Sequence, residues 1–358
     1  MKMTWRWYGE NNDTIPLDHI RQIPGVEGIV WSLHDKVAGE VWKTERIEKE
    51  VALIKSKGFN ADVVESVNVH DDIKIGLPTR DKYIDVYIDT IEKLAKAGVK
   101  VICYNFMPVF DWTRTDLYRE HPDGSNALFY EKDLIQDDPK AMVDNILKEA
   151  GELTMPGWEP ERLAKLDELF AAYKNVTPEN LFENLVYFLE RIQKVCMEQD
   201  VMMAIHPDDP PWPIFGLPRI VNSRDNIRKL LDAVPSKHNG LTLCTGSLGS
   251  NLLNDISSMV REFHDRIYFA HIRNVKVFDN GDFIECSHRG CDGDVDAYEV
   301  LKAYHDNDFK GYLRPDHGRH LWGEEKECRP GYGLYDRALG VMYMLGVWDS
   351  LTKRKEGK

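Results

Sequence analysis

The chain alternates short apolar runs with longer segments in which apolar residues recur every three to four positions, and this alternation predicts strands followed by helices. Strands are expected at 3–7 (MTWRW), 28–31 (GIVW), 61–64 and 99–104 (VKVICY). In the first of these, Arg6 falls on the opposite face from Trp5 and Trp7. Helices are expected at 16–22, 44–57 and 80–97. The last carries Ile84, Tyr87, Ile88, Ile91, Leu94 and Ala95 on one stripe and stops at Gly98. A long segment, 105–177, comes next, with aromatics and prolines first and helical patterns near 138–151 and 159–173. After a strong amphipathic helix at 178–199 the alternation becomes regular. Strands are expected at 201–206, 241–244, 267–271 and 311–316, and helices near 223–233, 254–264, 295–306 and 334–351.

Eight strands alternating with eight main helices predict an α/β fold, a (β/α)8 TIM barrel with a helical insertion after strand four. An open doubly wound sheet fits less well, because no G-x-G-x-x-G turn follows the first strand. Neither an internal repeat nor a linker divides the chain. The expectation is a single TIM-barrel domain over 1–358, with 105–177 as an inserted cap over the barrel mouth; loops of that length usually carry function.

Four of the expected strands end on a potential metal ligand: His206 before PDDPP, Cys244 in LTLC, His271 in IYFAH and Asp316 in GYLRPD. A lone histidine at a strand end is more often structural, and a lone buried cysteine is more often packing. In a parallel barrel, however, all strand C-termini share one rim, so four such residues on successive strands are expected to converge on one cation. Two imidazoles, a thiolate and a carboxylate suit Zn²⁺, Fe²⁺ or Co²⁺ better than Mg²⁺ or Ca²⁺. Asp208 and Asp209 follow His206 and either orient the ligands or serve the proline-rich turn.

Composition narrows the partners. Sixty acidic against 46 basic residues give a net charge of −14, which opposes a nucleic-acid phosphate backbone. Hydrophobic residues make up 42% and charged residues 30%, and no run approaches the roughly 18 apolar residues of a membrane span. The opening MKMTWRWYGEN has no apolar signal region, which predicts no secretion. Six cysteines spread over so long a chain argue against a disulfide framework and for the reducing cytoplasm. The long insert and many aromatics point to a homodimer.

HPDDPP, CTGSLG, HIRN, CDGDVD and RPDHG, in this order, resemble the motifs of bacterial mannonate dehydratases, and the resemblance runs from WRWYG to the C-terminal helix. It implies a xylose-isomerase-like barrel that dehydrates D-mannonate to 2-keto-3-deoxy-D-gluconate plus water in hexuronate (glucuronate) catabolism. The family's metal ligands carry over onto His206, Cys244, His271 and Asp316. The thiolate argues for a softer ion, but the resemblance implies Mn²⁺, which is taken as the expected cofactor with Fe²⁺, Co²⁺ or Zn²⁺ as alternatives. Cys286 and Cys291 depart from the family pattern and read as incidental loop residues.

Dehydrating a 2,3-dihydroxy acid requires removal of a weakly acidic proton beside a carboxylate and protonation of a departing hydroxyl. His317, directly after Asp316, and Tyr332 in PGYGLYD are the expected acid and base; the family's tyrosine maps onto Tyr332, with Tyr335 close by. Arg273 and Asn274 follow His271 and are placed to hold substrate, the arginine through its two-pronged fork. His288 and Asp294 in ECSHRGCDGDVD, and Asn105 at the end of strand four, are further expected substrate contacts. A metal-dependent sugar isomerase or epimerase on the same barrel needs the same groups and is the alternative enzyme. A non-catalytic polyol-binding protein with a closed metal site is the alternative from another class.

Overall fold

The computed structural model describes residues 1–135, 139–150 and 165–357. In chain order its strands are β1 (Lys2–Arg6), β2 (Gly28–Trp31), β3 (Asn60–Glu65), β4 (Val101–Tyr104), β5 (Asp116–Glu120), β6 (Asn126–Tyr130), β7 (Met202–Ile205), β8 (Asn239–Cys244), β9 (Ile267–Ile272), β10 (Asn274–Val277), β11 (Phe283–Cys286) and β12 (Tyr312–Pro315). Eight of these close into a barrel in the order β1-β12-β9-β8-β7-β4-β3-β2, every pairing parallel. The expected barrel is therefore present, with strand bounds within two residues of those read from the sequence.

The helices form where the apolar stripe and the end signals agree. Arg80–Ala97 buries Ile84, Tyr87, Ile91 and Leu94, and Gly98 ends it at φ 101°, a left-handed conformation that glycine adopts without a Cβ clash. Pro178–Gln199 starts at a capping box in which the Thr177 hydroxyl accepts from the Asn180 backbone N–H, and the Asn180 side chain answers the Thr177 N–H. Its buried face, Leu185, Phe188, Leu189 and Ile192, packs into the layer between helices and barrel. Truncating Phe188 to alanine there is expected to cost about 3–5 kcal/mol.

Inside the barrel, Val30, Val63, Val101, Ala204 and Phe269 form an apolar plug. Strand pleating puts alternate residues on this inward face, so the inward positions that follow toward the strand C-termini include Arg6, Glu65, His206, Cys244, His271 and Arg314 and, one inward step further on, Asn105 and Asp316. The barrel thus changes from apolar floor to charged mouth within one layer of side chains.

The segment after β4 differs from the expectation of a purely helical insertion. It contributes β5 and β6, which join β10 and β11 in a second, antiparallel sheet of order β10-β11-β6-β5. The stretch between β9 and the helix Ala297–Asp306, expected to be a loop, is largely this β10–β11 hairpin. Cys286 accordingly lies on a strand, packed with Ala127, Phe129 and Ile284. Helices Pro139–Ala150 and Leu166–Tyr173 answer the two helical patterns; positions 138, 151 and 159–164 of those patterns lie outside the described residues.

Candidate active site

Each of the four strand-end residues reaches the mouth because an apolar strand delivers it there. Met202–Ile205 ends one residue before His206, and Cys244 closes β8 and caps the short helix Thr245–Gly249. His271 on β9 stands opposite both Cys244 on β8 and Arg314 on β12. One ligand atom from each of His206, Cys244, His271 and Asp316 lies within 4.8 Å of the others. Cys244 Sγ is 3.4 Å from Asp316 Oδ2, and His271 Nδ1 is 3.9 Å from the same oxygen.

The surroundings orient these donors. His206 Nδ1 donates to the Pro207 carbonyl at 2.7 Å, which leaves Nε2 with its lone pair. His271 Nε2 faces Glu65 Oε2 at 3.4 Å while Nδ1 faces the cluster, the carboxylate–imidazole arrangement that commonly backs a metal-bound histidine. Ser247 directs both its backbone N–H (3.5 Å) and its hydroxyl (3.2 Å) at Cys244 Sγ. Asp316 Oδ1 pairs with Arg314 at 2.8 Å. Burial opposes ionisation of Asp316, but His317, Arg314 and Arg273 outweigh it and hold the carboxyl well below its ordinary range. Glu65 behaves alike, burial being overcome by Arg314 and His271. The donor set is thus two imidazole nitrogens, a sulfur and a carboxylate oxygen gathered in one cluster, and it fits a divalent cation of intermediate softness.

Beside this cluster, a cleft opens between the barrel and the inserted segment. His317 and Tyr332 line it together with His206 and Asp316. Their rings lie 5.4 Å apart, and Trp112 from the insertion sits 5.9 Å from His317. Burial, with the Tyr8 and Asp316 charges adding to it, pushes the Tyr332 hydroxyl well above its ordinary value. Tyr335, the neighbouring tyrosine, is instead exposed and packs on Trp322.

A buried ion cluster lies beneath His317. Arg114 grips Asp209 with two nitrogens (2.8 and 3.2 Å) and Glu285 at 2.8 Å. Arg273 bonds Asp209 at 2.6 Å and Ser247 at 2.8 Å, and its Nη1 also meets His317 Nε2. Glu285 accepts from His317 Nδ1. Glu285 belongs to β11 of the second sheet, so that sheet sets the orientation of a histidine carried by the barrel.

The expected substrate contacts fall in different places. Asn105 lines the cleft. Arg273 is buried within the ion cluster, its fork already occupied. Asn274 clamps the following loop, donating to the Arg289 carbonyl and accepting from Val295 N–H. Asp294 holds the hairpin through Lys276 and Val277 N–H. His288 is buried against the Asp316 carbonyl (3.2 Å) and Asp336 (3.6 Å). These last four side chains are not among those lining the cleft, because neighbouring protein groups already engage them. Sequence reasoning missed Glu65, Arg114, Glu285, Trp112 and Tyr8. Glu65 alone carried a readable signal, one residue past an expected strand end.

A family model described as D-mannonate dehydratase (UxuA) matches residues 1–358. A protein named mannonate dehydratase from Endomicrobium trichonymphae is 61% identical over 359 residues, covering 100% of this chain and 98% of that protein. The crystal structure of mannonate dehydratase from Streptococcus suis serotype 2 superposes with a TM-score of 0.89 at 40% identity, covering 100% of this chain and 96% of the other. A xylose isomerase domain protein from Planctomyces limnophilus, at 9% identity and a TM-score of 0.55, covers 99% and 98% and shares the fold. This chain belongs to the D-mannonate dehydratase family.

Proposed function

We propose that this chain dehydrates D-mannonate to 2-keto-3-deoxy-D-gluconate and water in hexuronate catabolism, as a cytoplasmic, Mn²⁺-dependent hydro-lyase acting as a homodimer. The observation that carries the reading is the placement of His317 and Tyr332 in one cleft with a four-donor cluster, in a chain of this family. His206, Cys244, His271 and Asp316 would hold the cation. When bound, it would supply electrostatic stabilisation of the negative charge that develops beside the substrate carboxylate.

The protein's own groups account for the proton movements. Glu285 holds His317 through Nδ1, and Nε2, which meets Arg273 Nη1 in the free protein, exchanges that partner for the C2 proton of the substrate. The electron pair left at C2 forms the C2–C3 double bond as the C3–O bond breaks. Tyr332, kept protonated by its burial, donates its proton to the departing C3 oxygen, which leaves as water. The resulting enol gives up its O2–H proton as it takes up a proton at C3 and becomes the 2-keto-3-deoxy acid.

One catalytic domain over 1–358, with 105–177 serving as a cap, belongs to this reading: Trp112 from the cap lies over His317 and helps keep water from the reacting centre. The homodimer is supported by an exposed apolar stripe of Trp322, Tyr335, Leu339 and Met342. Cytoplasmic placement is supported by cysteines that are all free. The deciding experiment is a screen of aldonic acids with Mn²⁺-loaded protein, reading keto-deoxy-acid formation. D-mannonate is expected to turn over fastest, and turnover confined to D-gluconate or L-gulonate would overturn the assignment. Metal-free protein reloaded with Mn²⁺, Fe²⁺, Co²⁺ or Zn²⁺ tests the ion; greatest activity with Zn²⁺ contradicts Mn²⁺.

A further inference from the structure

The buried guanidinium groups around the mouth are almost all matched to acceptors. Arg114 and Arg273 are held by Asp209, and Arg314 by Glu65 (3.0 Å) and Asp316 (2.8 Å). Arg219 and Arg337 donate to backbone carbonyls. Arg6 is different. It is 2% exposed, its Nη1 has no hydrogen-bond partner, and no carboxylate among the described residues lies within ion-pair distance of it. The Tyr8 ring lies 4.8 Å from its guanidinium carbon.

Its position is fixed by the barrel. β1 pairs with β12 in the register Lys2↔Tyr312 and Met3↔Leu313, which continued along both strands sets Arg6 level with Asp316. Pleating turns residue 6 inward, and its side chain lines the cleft with Glu65, Arg314, His317 and Tyr332. Glu65, whose ionisation Arg6 favours, is paired directly with Arg314; a buried guanidinium donor left without an acceptor is costly, and an anion bound there would offset that cost. The planar fork of arginine matches a carboxylate with two parallel hydrogen bonds.

We infer that Arg6 is the carboxylate anchor of the substrate, the residue that makes this barrel select a sugar acid over a neutral sugar. The inference rests on the dehydration reading above and names the group that recognises its substrate class. It also moves that role from Arg273, whose fork is filled by Asp209 and Ser247. The anchor is coupled to the chemistry by Tyr8, whose ring lies between the Arg6 guanidinium and the Tyr332 ring, 5.1 Å from the latter. A carboxylate held at Arg6 therefore places the adjoining carbons of the acid toward His317 and Tyr332.

The test compares D-mannonate with its neutral amide, D-mannonamide, on Mn²⁺-loaded wild type, Arg6→Gln and Arg6→Lys, by turnover and by calorimetric binding. Loss of a buried charge-assisted pair is worth roughly 10²-fold. Arg6→Gln is expected to reduce the acid-over-amide preference by about that factor, mainly through KM, with metal content and amide binding unchanged. Arg6→Lys, which keeps the charge and loses the fork, should fall between the two. Equal losses on acid and amide, as a merely structural arginine would give, overturn the inference, and so does an unaltered preference. Should Arg6→Gln fail to fold, the Arg6→Lys comparison decides by the same criterion. Wild-type protein that binds D-mannonate without forming a keto-deoxy acid overturns the dehydration reading instead, and the binding ratios then judge Arg6 alone.

Discussion

Two groups of charged side chains share the barrel mouth and differ in how fully they are paired. In Arg114, Asp209, Arg273 and Glu285 each charge meets an opposite one, with Arg114 and Arg273 both gripping Asp209 and Arg114 also bonding Glu285. In His206, Cys244, His271 and Asp316 the donors face one another, and Arg6 nearby has an Nη1 with no hydrogen-bond partner among the described residues. Both groups are buried, apart from the partly exposed His206. Completeness of pairing therefore separates framework from chemistry better than burial does: a saturated cluster has no capacity left for a ligand, whereas an unsaturated one is stabilised by binding one.

The sharpest way to break this contrast is to damage the saturated cluster. Arg114→Met removes one of the two arginines on Asp209 and the closest arginine on Glu285, and is expected to cost about 3–5 kcal/mol of stability, read from the denaturation midpoint. Asp209 and Glu285 supply the pH dependence. Burial opposes their ionisation, but Arg114 and Arg273 at Asp209, and His317, Arg114 and Arg273 at Glu285, hold both carboxyls below their ordinary range. Because the folded values lie below the unfolded ones, the stabilisation is complete above about pH 4 and is lost as the pH falls through the folded values. The stability gap between wild type and Arg114→Met should accordingly narrow on acidification below that point; a widening gap contradicts the pairing account.

Smaller effects sharpen the other side. His317→Ala and Tyr332→Phe should each lower kcat by about 10²-fold or more, with metal content retained; near-normal turnover in either removes that residue from the mechanism. Glu65→Gln weakens the group behind His271, and its Mn²⁺ affinity should drop by about 10- to 100-fold with a smaller change in folding stability. At the far end, Asp18→Ala removes an exposed ion pair with Lys57 and should shift stability by less than about 1 kcal/mol.

Much of the barrel was legible because its signals are local. The helix Arg80–Ala97 could be read to the residue from a stripe and a terminal glycine, and strand-end histidines and a cysteine are visible wherever an apolar run stops. Their meeting in space follows from barrel topology, which alternation alone indicates. The second sheet was not legible, since β5 and β6 are brief and their partner β11 lies some 150 residues away, so no local period marks them. Glu285 and Arg114 were lost with that sheet. Arg273 shows the other limit: its fork is plain in the sequence, but that Asp209 fills it depends on a contact 64 positions distant.

The central claim is that four strand-end side chains hold one cation beside His317 and Tyr332. Its most direct test is titration of metal-free protein with Mn²⁺, followed by electron paramagnetic resonance, for wild type, Cys244→Ala and Asp316→Asn. The account predicts one tightly held ion per wild-type chain, and affinity lowered by at least about 10²-fold in each variant while the fold is retained. Undiminished binding in both variants would place the ion elsewhere and contradict it.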